Sequence, residues 1–163
     1  MKYPETAIQG FINALDDDQG AYVWLSESKW KELAAFVDIV NSENTQAILF
    51  LLSNKEKFPT IVNFLAALQK EEKAFDLLMA TNEREWAATV SSVHGDDAAY
   101  EWLLKNNFII FTKLVDVLVK NASSRGSGIS SYGSIGAGGS SGGGGFVGFG
   151  GGSFGGGGGG GSW

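Results

Sequence analysis

The sequence contains no cysteine, which excludes disulfide staples, thiolate catalysis and the cysteine-based zinc sites. It has one histidine, His94. A lone imidazole with no thiolate beside it is a poor metal site, and its place before Gly95 predicts interaction with the last carbonyls of a helix. Long apolar runs are also missing: the longest, Ala47 to Leu52, is far short of the ~20 residues that cross a bilayer. The opening Met1-Lys2-Tyr3-Pro4-Glu5-Thr6 lacks the apolar core of a secretory signal. The expectation is a soluble, cytoplasmic protein with no integral membrane segment, no metal and no cofactor.

Basic charge is scarce: 12 Lys and Arg stand against 18 Asp and Glu. All the acidic residues precede residue 122, with all the basic ones but Arg125, so this part carries a formal −7 against −6 for the whole chain. A surface of that sign repels phosphate backbones, so nucleic acid is not an expected partner. Glycine is scarce in the same part. Of the 24 glycines, only Gly10, Gly20 and Gly95 precede residue 122. The composition therefore predicts a domain over residues 1–121 and a Gly/Ser-rich tail over 122–163.

What the first part does contain is helical periodicity. Pro4 and Glu5 open a helix whose Ile8, Phe11, Ile12 and Leu15 form one apolar stripe. Asp16-Asp17-Asp18 ends it and caps the next; a calcium loop would need alternating carboxylates and a distant glutamate. A pattern then recurs four times: Ala21-Tyr22-Val23-Trp24-Leu25, Ala47-Ile48-Leu49-Phe50-Leu51, Ala74-Phe75-Asp76-Leu77-Leu78 and Ala99-Tyr100-Glu101-Trp102-Leu103. Each copy is followed by a second apolar stretch opened by an aromatic residue: Trp30, Phe58, Trp86 and Phe108. Ser28 is the expected cap of the first of these stretches, Thr81-Asn82-Glu83 that of the third, and Pro59 marks the start of the second.

The repeat alanines stand 26, 27 and 25 residues apart and the aromatics 28, 28 and 22. That spacing holds two short helices and two turns, an αα-hairpin. The predicted fold is all-α, about four short hairpin repeats behind a leading helix, stacked as an α-solenoid or closed into a compact bundle. The repeated bulky residues are expected to be core, since aromatics at helical spacing usually are.

The phrase Gly95-Asp96-Asp97-Ala98-Ala99-Tyr100-Glu101-Trp102-Leu103 resembles the short helical-hairpin repeats of uncharacterised bacterial proteins, built on a Gly-Asp…Ala…Trp-Leu plan. The resemblance implies a hairpin fold and no activity. The ending Gly152-Ser153-Phe154-Gly155 … Gly161-Ser162-Trp163 resembles the glycine-rich, Gly-Ser-Trp-ending tails of bacterial TPM-domain and related membrane-associated proteins. This second resemblance implies a bacterial source and a partner shared through the tail. Peripheral association with a membrane complex follows from it too.

The tail has rings at Tyr132, Phe146, Phe149, Phe154 and Trp163 in a nearly uncharged Gly/Ser background. Such a segment cannot bury enough surface to offset its backbone entropy, so disorder is expected. Phe146, Phe149, Phe154 and Trp163 are the candidate partner-binding residues, with the terminal ring and carboxylate suited to capture in a backbone nest.

No catalytic constellation is visible. The glycine runs lack the Lys-Ser/Thr, the strand and the helix of a phosphate loop. Asp38 and Asp116 hold equivalent places in the first and fourth repeats, where a solvated helix face explains them. The sequence therefore points to a non-catalytic adaptor or scaffold whose helical surface binds a protein and whose tail tethers. The alternative is a self-assembling or envelope-associated structural protein driven by the tail.

Overall fold

The computed structural model describes residues 2–124, and among them all regular structure is helical. The helices are α1 (Glu5–Leu15), α2 (Gln19–Glu27), α3 (Lys31–Ser42), α4 (Thr45–Ser53), α5 (Pro59–Leu68), α6 (Glu72–Ala80), α7 (Arg84–Val93), α8 (Asp97–Lys105) and α9 (Ile109–Ser124). The last helix runs past residue 121, so Ala122 and its neighbours belong to α9. The expected disorder of the tail and its candidate residues Phe146, Phe149, Phe154 and Trp163 lie outside the described residues. No described helix is long and apolar enough to cross a membrane.

The odd-numbered helices form the interior. They pack in chain order, α1 on α3, α3 on α5, α5 on α7 and α7 on α9, and α9 then returns to α1. This return makes the hairpins a closed bundle; an open solenoid would leave its first and last helices apart. Two polar contacts from α9 fasten the closure, and a third from α3 joins them at the same end of α1. The Asn121 amide donates to Leu15 O (2.9 Å) and Asn41 to Ala14 O (3.3 Å), and Lys120 pairs with Asp16. All three involve the C-terminal end of α1, where helix carbonyls are left without internal donors.

Each odd helix contributes one ring to a continuous chain through the core. Phe11 meets Phe36 edge-on (5.2 Å between centroids), Phe36 stacks on Phe64 (5.4 Å), Phe64 meets Trp86 (4.8 Å) and Trp86 meets Phe111 (5.2 Å). All five side chains are fully buried. Pairs in such geometries add about 0.5–1.5 kcal/mol each beyond their area burial. Tyr3 branches from this chain at Trp86 and also sets its ring against Trp30.

The even-numbered helices are the outer layer, and they repeat closely. Each is nine residues long. Their N-cap positions are Asp18, Asn44, Glu71 and Asp96, so the recurring Ala21, Ala47, Ala74 and Ala99 all fall at the third helical position. Asp18, Asn44 and Asp96 accept backbone N–H bonds in the first turn; Glu71 makes no such bond, its chain being one methylene too long for the usual cap geometry. The C-caps Ser28, Asn54, Thr81 and Asn106 each donate a side-chain bond back to a carbonyl of the last turn.

Two expected helix starts are corrected here. Ser28 caps the end of α2, although its hydroxyl also accepts from Trp30 N (3.0 Å), and Thr81 caps the end of α6. The second helix of the third repeat, α7, begins after Glu83, the last residue of the expected Thr81-Asn82-Glu83 cap, so Trp86 is the counterpart of Leu33, Ile61 and Phe111, not of Trp30 and Phe58. Shifting that one residue removes most of the irregularity in the aromatic spacing.

A single residue in the left-handed region precedes every outer helix: Asp17 (φ 68°), Glu43 (53°), Lys70 (66°) and Gly95 (96°). Gly95 thus fills a turn position that the other repeats fill at a cost of about 1 kcal/mol for a residue bearing Cβ. A Cβ at Gly95 would meet nothing within 4 Å, so only the backbone conformation demands glycine there. Gly95→Ala is expected to lower stability by about 1 kcal/mol in urea denaturation, and Lys70→Gly to raise it by about 0.5–1 kcal/mol. Equal effects of the same sign would contradict this account of the turn.

Candidate interaction surface

On each outer helix the alanine and the leucine four residues later face the interior, and the residue after the alanine, Tyr22, Ile48, Phe75 or Tyr100, packs partly buried against the core. Leu25, Leu51, Leu78 and Leu103 are buried, as are Ala47, Ala74 and Ala99. The bulky residue just before each leucine lies about 100° away around the helix and cannot share that direction. Trp24 is 46% exposed, Phe50 37% and Leu77 50%. The fourth member, Trp102, is covered because it stacks on Phe108 (5.6 Å). The expectation that the repeated bulky residues are all core is therefore corrected: two positions of the motif are core, and one faces outward.

The outward apolar residues concentrate on α2 and α4, where Val23 and Leu49 join Trp24 and Phe50. The packing explains part of this. Whereas α2, α6 and α8 each rest on both flanking inner helices, α4 rests chiefly on α3. The α4–α5 connection, Asn54 to Phe58, is longer than the other outer-to-inner turns and lets α4 stand off α5. Trp24 is laid flat on α1 by Gly10, at which a Cβ would come within 2.9 Å of the indole ring.

Between α2 and α4, above α3, runs an open groove of about 290 Å³. Its floor is made of Ala34, Ala35 and Ala47, and Tyr22, Phe50 and Lys31 stand on its walls. The volume is at the small end for a ligand pocket, and the groove is open along its length, a shape suited to a peptide chain. The Tyr22 hydroxyl donates to Asp38 Oδ2 (2.9 Å). Burial and that carboxylate raise the Tyr22 pKa, so the tyrosine stays protonated. A second, more polar depression beside Ala14, Asp17 and Asn41 shares Tyr22 and Asp38 with the groove.

Asp38 is thus a half-buried hydrogen-bond acceptor, whereas Asp116 is exposed on α9. His94 does act at a helix end, but the end belongs to α5: its Nε2 lies 3.0 Å from Leu68 O. Lost hydration and the charge of Lys70 lower the His94 pKa, while the bond to Leu68 opposes them. Among the described residues no group of His, Asp and Glu is placed to hold a metal ion.

One polar cluster is buried, at the shared N-terminal end of α3, α5 and α7. Glu32, Thr60 and Glu85 occupy the same second position of those helices, and all three are buried. Thr60 accepts from Lys2 Nζ (3.3 Å) and donates to Glu83 (3.4 Å), and Tyr3 lies beside Glu32. Sequence reasoning missed this cluster because Lys2 and Tyr3 read only as a terminus. Its one available signal was an acidic residue early in both α3 and α7. Neither of the two depressions described above touches these groups, and the cluster packs over one end of the bundle.

Burial holds the Glu32 carboxyl above its ordinary 4.5, with its backbone hydrogen bond, Tyr3 and Lys2 opposing. Glu83 is raised by burial and by Glu85. Raised folded-state values mean that the native state binds more protons than the unfolded chain just above pH 4.5. The contribution of these groups is therefore fully present below that pH and is lost as pH rises through the folded values. Glu32→Gln keeps an acceptor for Tyr3 and removes the charge. Its urea midpoint should match wild type near pH 4 and exceed it increasingly toward pH 7; a gap that does not grow with pH would contradict the assignment.

Comparison with protein-family models, with curated proteins and with solved structures finds no match for this chain.

Proposed function

We propose that the chain is a non-catalytic protein-interaction adaptor, with the α2–α4 face as its partner-binding surface and the aromatic-dotted tail as a tether. The observation that carries this reading is the open groove itself, walled by Tyr22 and Phe50 over the methyl groups of Ala34, Ala35 and Ala47, with the exposed Leu49 next to Phe50 on the same short, doubly capped helix. Aromatic residues in that setting are the usual anchors of protein interfaces, each worth about 2 kcal/mol or more when central. The alanine floor lets a partner's chain come close, and Lys31, Asp38, Asn44 and Gln46 supply polar contacts along the rim. The cluster around Tyr3 and Glu32 supports the same reading, because the acids raised by burial lie apart from the groove, packed at one end of the bundle.

Affinity purification of the full chain from its native cells tests this. Leu49→Ser/Phe50→Ser is expected to lower recovery of the specific partner by about tenfold or more, as loss of one anchor implies. Leu77→Ser, an exposed residue on α6 away from the groove, should leave recovery unchanged. Recovery that both variants leave intact would overturn the reading.

A further inference from the structure

We infer that the groove between α2 and α4 takes a short extended segment of a partner protein, one with an acidic side chain for Lys31 and a basic side chain for Asp38. The inference rests on the adaptor reading and adds to it the chemistry of the partner.

The floor of the groove is largely one face of α3. Lys31, Ala34, Ala35 and Asp38 stand at i, i+3, i+4 and i+7, a single stripe along the helix, and all four line the groove. The two alanine methyls in the middle carry no bulk and no polar group, so the backbone of a bound segment can lie close. The charges stand at the ends. Seven residues on a helix span about 10 Å, and the two charges do not pair across that distance. Lys31 is exposed, and among the described residues no carboxylate pairs with it. Asp38 takes the Tyr22 hydroxyl on Oδ2 (2.9 Å), while its Oδ1 accepts from no described residue.

The neighbouring turns carry the same polarity. Lys55 and Lys57 stand on the turn that follows α4, with only Glu56 between them. At the other end Asp17 lines the second depression with Asp38, and Glu43 ends α3. None of the three inner helices that follow has opposite charges at these two positions. They hold Pro59 and Ala66 on α5, Arg84 and Ser91 on α7, and Ile109 and Asp116 on α9. The alanines of α7 that match the floor, Ala87 and Ala88, are fully buried.

These features select the occupant. A segment of one sign, or a run of phosphates, would meet like charge at one end, which steers against wrong partners. An extended chain advances about 3.3 Å per residue, so the acidic and basic side chains of the occupant stand about three or four residues apart. Small residues lie between them over the alanines.

Random nine-residue peptides displayed on phage test this by selection on the immobilised full chain, with Phe50→Ser protein as the counter-target. Recovered peptides should carry an acidic residue about three or four positions from a basic one. Synthetic copies should lose about fivefold in affinity when either charge is removed, as a partly exposed ion pair implies. Selection on Lys31→Glu should replace the acidic position by a second basic one, whereas Lys73→Glu, an exposed change on α6, should leave the pattern as it is. Peptides that discriminate against Phe50→Ser yet show no charge pattern would overturn the inference and leave the adaptor reading standing. So would peptides that keep their acidic residue on Lys31→Glu. Recovery of no peptide that tells wild type from Phe50→Ser would overturn the inference together with the groove as a binding surface.

Discussion

The structure depends on one chain of aromatic contacts, Phe11 to Phe36 to Phe64 to Trp86 to Phe111. Five short helices of 10 to 16 residues supply one ring each. Helices of that length are marginal in water by themselves, so their stability comes from the face they bury. Because the chain of rings runs from α1 to α9, the first and last helices share one interior, and the return of α9 to α1 completes it. Truncating a ring in the middle would remove several kcal/mol, a large part of the stability of a domain this small.

The outer helices serve a different purpose. Except at the start of α6, their termini are finished by side chains at both ends, from Asp18 and Ser28 on α2 to Asp96 and Asn106 on α8, so they hold their shape with few fully buried residues. The remaining faces are then free to vary. On α8 the bulky Trp102 is covered by Phe108. On α2 and α4 the corresponding Trp24 and Phe50 keep 46% and 37% of their surface exposed, Trp24 against Gly10 of α1 and Phe50 beside Phe58 at the wall of a groove floored by methyl groups. The adaptor reading rests on that groove.

Much of the fold was legible in the sequence because the alanine-to-leucine spacing is a strict helical i, i+4 pair, repeated with the same caps. The stripe Ile8, Phe11, Ile12 and Leu15, the stop-start at Gly95-Asp96 and the role of Pro59 all follow from local chemistry and stand in the structure. The alignment of Trp86 did not, because an aromatic residue is a salient landmark whereas the true start, Glu83, has no capping bond to mark it. Closure was illegible for a different reason: Asn121 bonds Leu15 across almost the whole chain, and no local pattern encodes such a contact. The surface groove was half legible. Two adjacent bulky residues in every outer helix cannot both point inward, and that geometric fact, applied to Trp24-Leu25 and Phe50-Leu51, marks the exposed member.

Closure of the ring-linked helices into one cooperative interior is the claim on which the rest stands. Native-state hydrogen exchange on the full chain measures it helix by helix. The account predicts that the slowest amides of α1, α3, α5, α7 and α9 share one opening free energy, equal to that of global unfolding, while α4 opens at a lower one. Graded protection that falls from α5 toward α1 and α9, as in a stack with free ends, would contradict it.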